Sequence, residues 1–329
     1  MEQFLAALDE ALLLDNEHFA QARERALAEY RQAPFRPLAN AGQSYPADAN
    51  ELRKLLQGYL DAVEDMDPGR PDSRGLLSPH IDYARGGAVY ARVWKCAAEA
   101  VRAADLAVVL GTDHYGKDGQ VTLTRQHYAT PFGVLPTERD AVDALAQAIG
   151  EERAFADELY HRSEHSIELA AVWLHYIRHE QPCALLPILC GSFTPFLRGE
   201  AELERNPTIN ALLDTLRCTL AGRRAVVVAA GDLSHVGPAF GGQPLSLVER
   251  ARLQAADAEL IERICAGDAQ GFFTAIQGDG DRHNVCGLPP IYLALRLLSQ
   301  VHGEQVAYDR CPADQQGTSL VSVCGIVFN

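Results

Sequence analysis

"LLSPHIDYARGG" (Leu76 to Gly87) decides how this chain is read. The stretch begins as a buried strand would, two leucines after Gly75. It then breaks into Pro79, His80, Ile81, Asp82 and Tyr83 before a helical stretch starts. An imidazole, a carboxylate and a phenol at the end of a strand are what an α/β sheet places in its ligand-binding loops.

The same texture continues toward the C-terminus. The helical stretch "GAVYARVWKCAAEAVRAA" leads to the apolar run "LAVVLGTDH", and "RDAVDALAQAIG" reads as a further helix. The helix "SIELAAVWLHYIRH" precedes "ALLPILCG", and "INALLDTLRCTLAG" precedes "AVVVAAGDLSH". Helices around 246–265 and 288–300 come before a last strand, "SLVSVCGIVFN". Short apolar runs alternating with helices predict a central, largely parallel sheet with helices on both faces.

Toward the N-terminus the pattern is different. Phe4, Leu5, Leu8, Leu12, Phe19 and Ala26 recur near a helical period until Pro34 and Pro37 stop it. "AGQSYPADANELRKLLQGYL" then reads as a loop followed by an amphipathic helix. Residues 1–36 are therefore expected to form a helical extension, one helix or a pair, and residues 37–329 one α/β domain. No internal repeat breaks that domain.

Composition narrows the function. Of the 329 residues 47% are hydrophobic and 22% charged, enough to bury a large core. A net charge of −15 without clustered Lys and Arg argues against a nucleic-acid partner. No apolar run reaches the roughly 18 residues that would span a bilayer. "MEQFLAALDE" carries acids where a secretory signal carries bases, so a cytoplasmic protein is expected, acting on a small molecule rather than at a membrane. Eight cysteines are scattered with no CxxC, which predicts buried reduced thiols for most of them. Cys286 alone has suggestive neighbours.

Strand ends supply the candidate site. His80 follows the first strand, Asp113 and His114 the second, and Asp232 and His235 the strand "AVVVAA". A single helical crossover joins the first two strands, so His80 and His114 are expected to be neighbours. "SEHSIE" adds Glu164, His165 and Glu168 at a helix start, and "RHNVCGLPP" adds His283 and Cys286. The plainer alternatives are turn or cap roles for Asp82 and Asp113, and helix-dipole complementarity for Glu164 and Glu168. His18, His127, His161, His175, His179 and His302 are read as packing or surface residues.

In order along the chain, "AGQSYPAD", "SPHIDY", "LGTDHYG", "SEHSIEL", "LPILCG", "GDLSHVG" and "VCGLPPI" resemble the successive motifs of the Memo family. The resemblance runs from about residue 37 to 329. It implies the fold of the class III extradiol ring-cleaving dioxygenases, non-haem iron enzymes that open catechol-type rings. It also implies His80, His114 and Cys286 as the metal-binding trio, with Cys286 where the dioxygenases have a glutamate. Asp232, His235 and His165 are the implied catalytic groups, His235 matching the acid–base position. Asp82, Tyr83, Tyr115, Glu164 and Glu168 are the implied pocket residues. Two departures stand at the pocket mouth: Asp82 before Tyr83, where the family pattern has glycine, and Tyr115, where a second histidine is common.

Two imidazoles and one anionic ligand leave positions open on a divalent ion, which lets Fe(II) hold substrate and O₂ together. A thiolate is softer than a carboxylate, which also admits Zn(II) or copper, and O₂ can oxidise it. Asp113 and Asp82 are expected to fix the imidazole tautomers. Three functional classes follow: a non-haem iron oxygenase acting on a small aromatic diol, a Cys286-dependent thiol hydrolase using His283 or His235 as base, and a non-catalytic adaptor of the kind the signalling role attributed to animal Memo proteins suggests. The first is adopted here. It requires His80, His114 and Cys286 to converge on one point, since metal bonds are only ~2.0–2.3 Å long.

Overall fold

The computed structural model describes residues 2–63 and 71–329. Its N-terminal pair of helices, α1 (Glu2–Glu10) and α2 (Glu17–Gln32), is divided where Asn16 caps α2 by accepting from the Phe19 amide. Met1, the start of the expected helical stretch, lies outside the described residues. Helix α3 (Ala49–Asp61) follows, then β1 (Gly75–Ser78), α4 (Tyr83–Cys96), α5 (Ala98–Ala103) and β2 (Leu106–Thr112). Three short strands come next: β3 (Val121–Leu123), β4 (Tyr128–Thr130) and β5 (Gly133–Leu135). Then come α6 (Arg139–Ile149), α7 (Glu151–Phe155), α8 (Ser166–Ile177), β6 (Ala184–Cys190), α9 (Thr194–Leu197), α10 (Pro207–Leu220) and β7 (Ala225–Ala230). The chain ends with β8 (His235–Val236), α11 (Leu247–Cys265), α12 (Ala269–Gly278), α13 (Leu288–Leu298), β9 (Gly303–Pro312) and β10 (Leu320–Phe328).

The main sheet runs β3-β6-β2-β7-β1-β10-β8, with β9 also paired to β10. Its middle strands β6, β2, β7 and β1 are mutually parallel, while β3, β8, β9 and β10 join antiparallel. Side chains of β2 alternate between two cores. Leu106, Val108 and Leu110 pack with α6, α10, α12 and α13, whereas Ala107 and Val109 pack with α3, α4, α5 and α8. Helices thus cover both faces, and the parallel strands read as apolar runs because neither face meets water. Among the described residues no helix is long and apolar enough to cross a membrane.

Because four neighbouring strands run the same way, Cys190, Thr112, Ala230 and Ser78 end on one rim. The first two strands are not themselves neighbours, since β7 lies between β1 and β2 and pairs with both, yet the His80 and His114 ring centroids come within 5.1 Å as expected. The loops of the two strands still converge, across the end of β7. The extension packs onto the turn Glu158–Arg162, where Arg31 of α2 donates to Glu158 at 2.6 Å and Tyr30 is buried beside Thr124.

Candidate metal centre

Pro79 and His80 continue directly from β1, and the His80 amide donates to Asp232 Oδ1 at 2.9 Å, tying the β1 loop to the β7 loop. The His80 ring is buried, with Nδ1 3.0 Å from the Ala230 carbonyl. A carbonyl only accepts, so Nδ1 carries the proton and Nε2 presents its lone pair. Burial, and next the neighbouring His114 and His165 rings, push the His80 pKa well below its ordinary value.

His114 is held in the same manner by a carboxylate. Its Nδ1 lies 3.1 Å from both oxygens of Glu164, and its amide donates to Glu164 at 3.0 Å. Glu164 also accepts from the His165 amide at 2.7 Å and faces His165 Nδ1 at 3.0 Å. One buried carboxylate therefore tethers two imidazoles, which stack with ring centroids 4.8 Å apart. Burial opposes the Glu164 charge, yet the two histidines outweigh it and hold the carboxyl well below its usual range. Burial likewise opposes charge on His114, but the Glu164 carboxylate prevails and raises that pKa.

Cys286 stands just before α13. Its Sγ lies 3.3 Å from His80 Nε2 and 3.8 Å from the Asp232 carbonyl, while Thr112 Oγ1 donates to its carbonyl at 3.0 Å. Burial, then the Asp232 carboxylate, push the thiol well above its ordinary pKa. Ligand atoms of His80, His114 and Cys286 all lie within 4.8 Å of one another. With both Nδ1 atoms engaged, two Nε2 atoms and a sulfur remain, a donor set that fits a soft or borderline divalent ion.

Glycines permit this convergence. A Cβ on Gly287 would stand 2.4 Å from the Asp232 carbonyl, and one on Gly231 would stand 2.7 Å from the Gly287 Cα. The loops of β7 and Cys286 touch backbone to backbone. Gly287→Ala is expected to force them apart, costing about 1–3 kcal/mol of stability and lowering metal affinity roughly 10–100-fold. Urea unfolding with metal titration checks this, and wild-type values of both would show that the loops have slack.

A cavity of about 730 Å³ opens over these donors, lined among others by Asp82, His165, Asp232, His235, Phe240 and Asn284. His235 Nδ1 lies 3.2 Å from the Leu233 carbonyl, which again leaves Nε2 unprotonated, and burial lowers its pKa. Asp232 is buried and its carboxyl is raised, chiefly by that burial. A larger cleft of about 850 Å³ at the opposite end of the helices, lined by Arg53, Lys54 and Lys95, holds none of these donors.

Not every pocket assignment faces the cavity. Tyr83 is fully buried under α8, its hydroxyl donating to the Leu169 carbonyl at 2.7 Å, so no substrate reaches it. Glu168 is also fully buried, in an ion pair with Arg36 and accepting from Asn40 and Tyr45. It braces the start of α8 from behind the pocket. Tyr115 is 64% exposed and tilts over Tyr160, outside the cavity lining. Asp82 lines the cavity but spends its carboxylate capping α4 and pairing with Arg85 at 2.6 Å. Asp113 folds onto its own loop, accepting from the Tyr115 amide at 3.1 Å, and burial raises its pKa to about 6. The tautomers are fixed instead by Ala230 and Glu164. Arg36, last residue of the expected extension, is itself part of this support: it also donates to the carbonyls of His161 and Glu164, at 2.6 and 2.8 Å.

The family model described as Memo-like protein matches residues 36–327. A MEMO1 family protein of Methanosarcina mazei is 30% identical over 273 residues, covering 82% of this chain and 89% of its own. One from Thermus thermophilus is 30% identical over 313 residues, covering 94% and 86%. One from Aquifex aeolicus is 26% identical over 334 residues, covering 100% of this chain and 82% of its own.

Proposed function

Because this chain belongs to the Memo-like protein family, we propose that it is a metal-dependent oxygenase acting on a small phenolic diol and O₂ in the rim cavity, on a fold related to the class III extradiol dioxygenases. One observation carries the reading: two imidazoles tethered through Nδ1 each bring a ring nitrogen, with the Cys286 sulfur, into one cluster within 4.8 Å. Fe(II) is the proposed ion, and Zn(II) or copper are the others that a thiolate suits. Bound by His80, His114 and Cys286, such an ion would supply a Lewis-acidic site open to substrate oxygens and O₂.

The remaining roles belong to side chains of the chain itself. His235, neutral and presenting Nε2, takes the proton from a substrate hydroxyl and returns it to the product. Asp232 anchors the His80 amide and faces the His80 ring at 3.8 Å, keeping the β1 and β7 loops in register. His165, tethered by the same carboxylate as His114, offers its own Nε2 to a second substrate oxygen. Phe240, Ala313 and Val321 give the cavity apolar walls that limit water around the reacting groups.

The 3.3 Å contact between Cys286 and His80 would also suit a thiol hydrolase. Burial depresses the imidazole and raises the thiol, so without a cation the pair stays neutral and no nucleophile forms. Elemental analysis after anaerobic purification, paired with oxygen uptake over a panel of catechols, tests the proposal. Near-stoichiometric metal, lost together with oxygen uptake in His114→Ala, is expected. A metal-free chain with thiol-dependent hydrolysis would overturn it, and metal without any uptake would leave a binding protein.

A further inference from the structure

The cavity over the donors does not stop at His235. A second cavity of about 280 Å³ adjoins it, and His235, Phe240 and Asn284 line both. Its walls come from β8 and the segment that follows it, the start of α11 and the loop before α13. Leu245 and Leu253 make part of it apolar, and Arg252 and Arg282 add two guanidinium groups. In a chain of net charge −15, a pair of arginines on one small cavity runs against the average.

The charges facing this lobe can be followed one by one. Arg282 pairs with Asp279 at 3.2 Å, and His283 Nδ1 lies 3.4 Å from the same carboxylate. Glu249, the acid in the lining, is taken up by the capping box of α11, accepting from the Ser246 amide at 2.6 Å. Arg252 makes no ion pair or hydrogen bond among the described residues. The Arg252 guanidinium feels the Glu249 carboxylate through space only, so its N–H fork is left without an acceptor among the described residues, and that planar fork suits a carboxylate bidentately.

Building on the function proposed above, we propose that this lobe is a carboxylate subsite: the substrate is an aromatic acid whose ring lies toward His235 and whose carboxylate meets Arg252 across an apolar linker. Asn284, shared by both cavities and held by donating to the His235 carbonyl at 3.1 Å, marks the passage between ring and tail. Arg252 is a specificity residue and touches none of the metal donors.

The test uses two probes, 3-(3,4-dihydroxyphenyl)propanoate and its uncharged amide, titrated calorimetrically into the full chain and into R252Q. Each protein is measured loaded with metal and after chelation. The acid is expected to bind about fivefold tighter than the amide in both states, as for a solvated Arg–carboxylate contact. R252Q should remove that preference while leaving amide affinity and metal content unchanged. Equal affinities in the wild type, a preference that survives in R252Q, or binding of neither probe would overturn the subsite. A preference that vanishes only on chelation would overturn it too, by placing the carboxylate on the ion; the metal content measured in parallel reports separately on the centre.

Discussion

His235→Gln is expected to lower turnover about 10²–10⁴-fold, roughly 3–5 kcal/mol of barrier, while metal content and fold stay at wild-type level. The expectation rests on how the ring is held. Its Nδ1 faces the Leu233 carbonyl at 3.2 Å and its backbone amide donates to the His283 carbonyl at 2.7 Å, so the residue is fixed beside the donor cluster without belonging to it. Glutamine keeps a donor for Leu233 but has no basic nitrogen. Burial lowers the His235 pKa, so the neutral, proton-accepting form persists below the ordinary histidine range. The acid limb of the wild-type rate profile should accordingly lie below about pH 6.5 and disappear in the variant. Loss of metal in His235→Gln would move the residue among the ligands, and unchanged oxygen uptake would leave it a loop residue.

The middle of this fold is legible in the sequence because buried parallel strands are apolar runs bounded by helices. "LAVVL" and "AVVVAA" could hardly be anything else. The order of the strands is not legible in the same way, since nothing local says that β7 inserts between β1 and β2. Strand β9 escaped because its exposed Glu304, Gln305 and Asp309 make an edge strand look like loop, and β3 to β5, three residues each, are too short to show a period.

The site divides along similar lines. His80, His114, His235 and Cys286 could be found because strand ends and helix starts are visible, and loops at those points converge. Proximity in sequence says which rim a residue is near, not which side of the backbone its side chain takes. Tyr83 and Glu168 follow the cavity-lining Asp82 and His165 yet turn into the core. Arg36 gave no signal at all, since an arginine between two prolines reads as surface until Glu168 is found buried against it. Removing one member of such a pair leaves an uncompensated charge and typically costs about 3–5 kcal/mol.

Cys286→Ala is expected to abolish metal binding at micromolar ion concentrations, and Cys286→Glu to retain it. The alanine variant leaves two neutral imidazoles and takes away the anion that balances the ion's charge; a site of that kind loses affinity by about 10² or more. The glutamate variant supplies an anion again, harder and one that O₂ does not oxidise, which should shift preference from Zn(II) or copper toward Fe(II). The sulfur now lies 3.3 Å from His80 Nε2, so the longer carboxylate has to settle beside that ring, with the backbone still anchored by Thr112 at 3.0 Å and by the Gly287 amide on Asp232 at 2.9 Å. Those anchors hold the main chain and do not touch the side chain, which is why the exchange is expected to be tolerated. Under the hydrolase reading both substitutions remove the nucleophile and act alike. Metal stoichiometry measured on the two variants side by side therefore separates the readings: retention in Cys286→Glu with loss in Cys286→Ala identifies a ligand, whereas full metal in the alanine variant means that the imidazoles of His80, His114 and His165 hold the ion without the thiol.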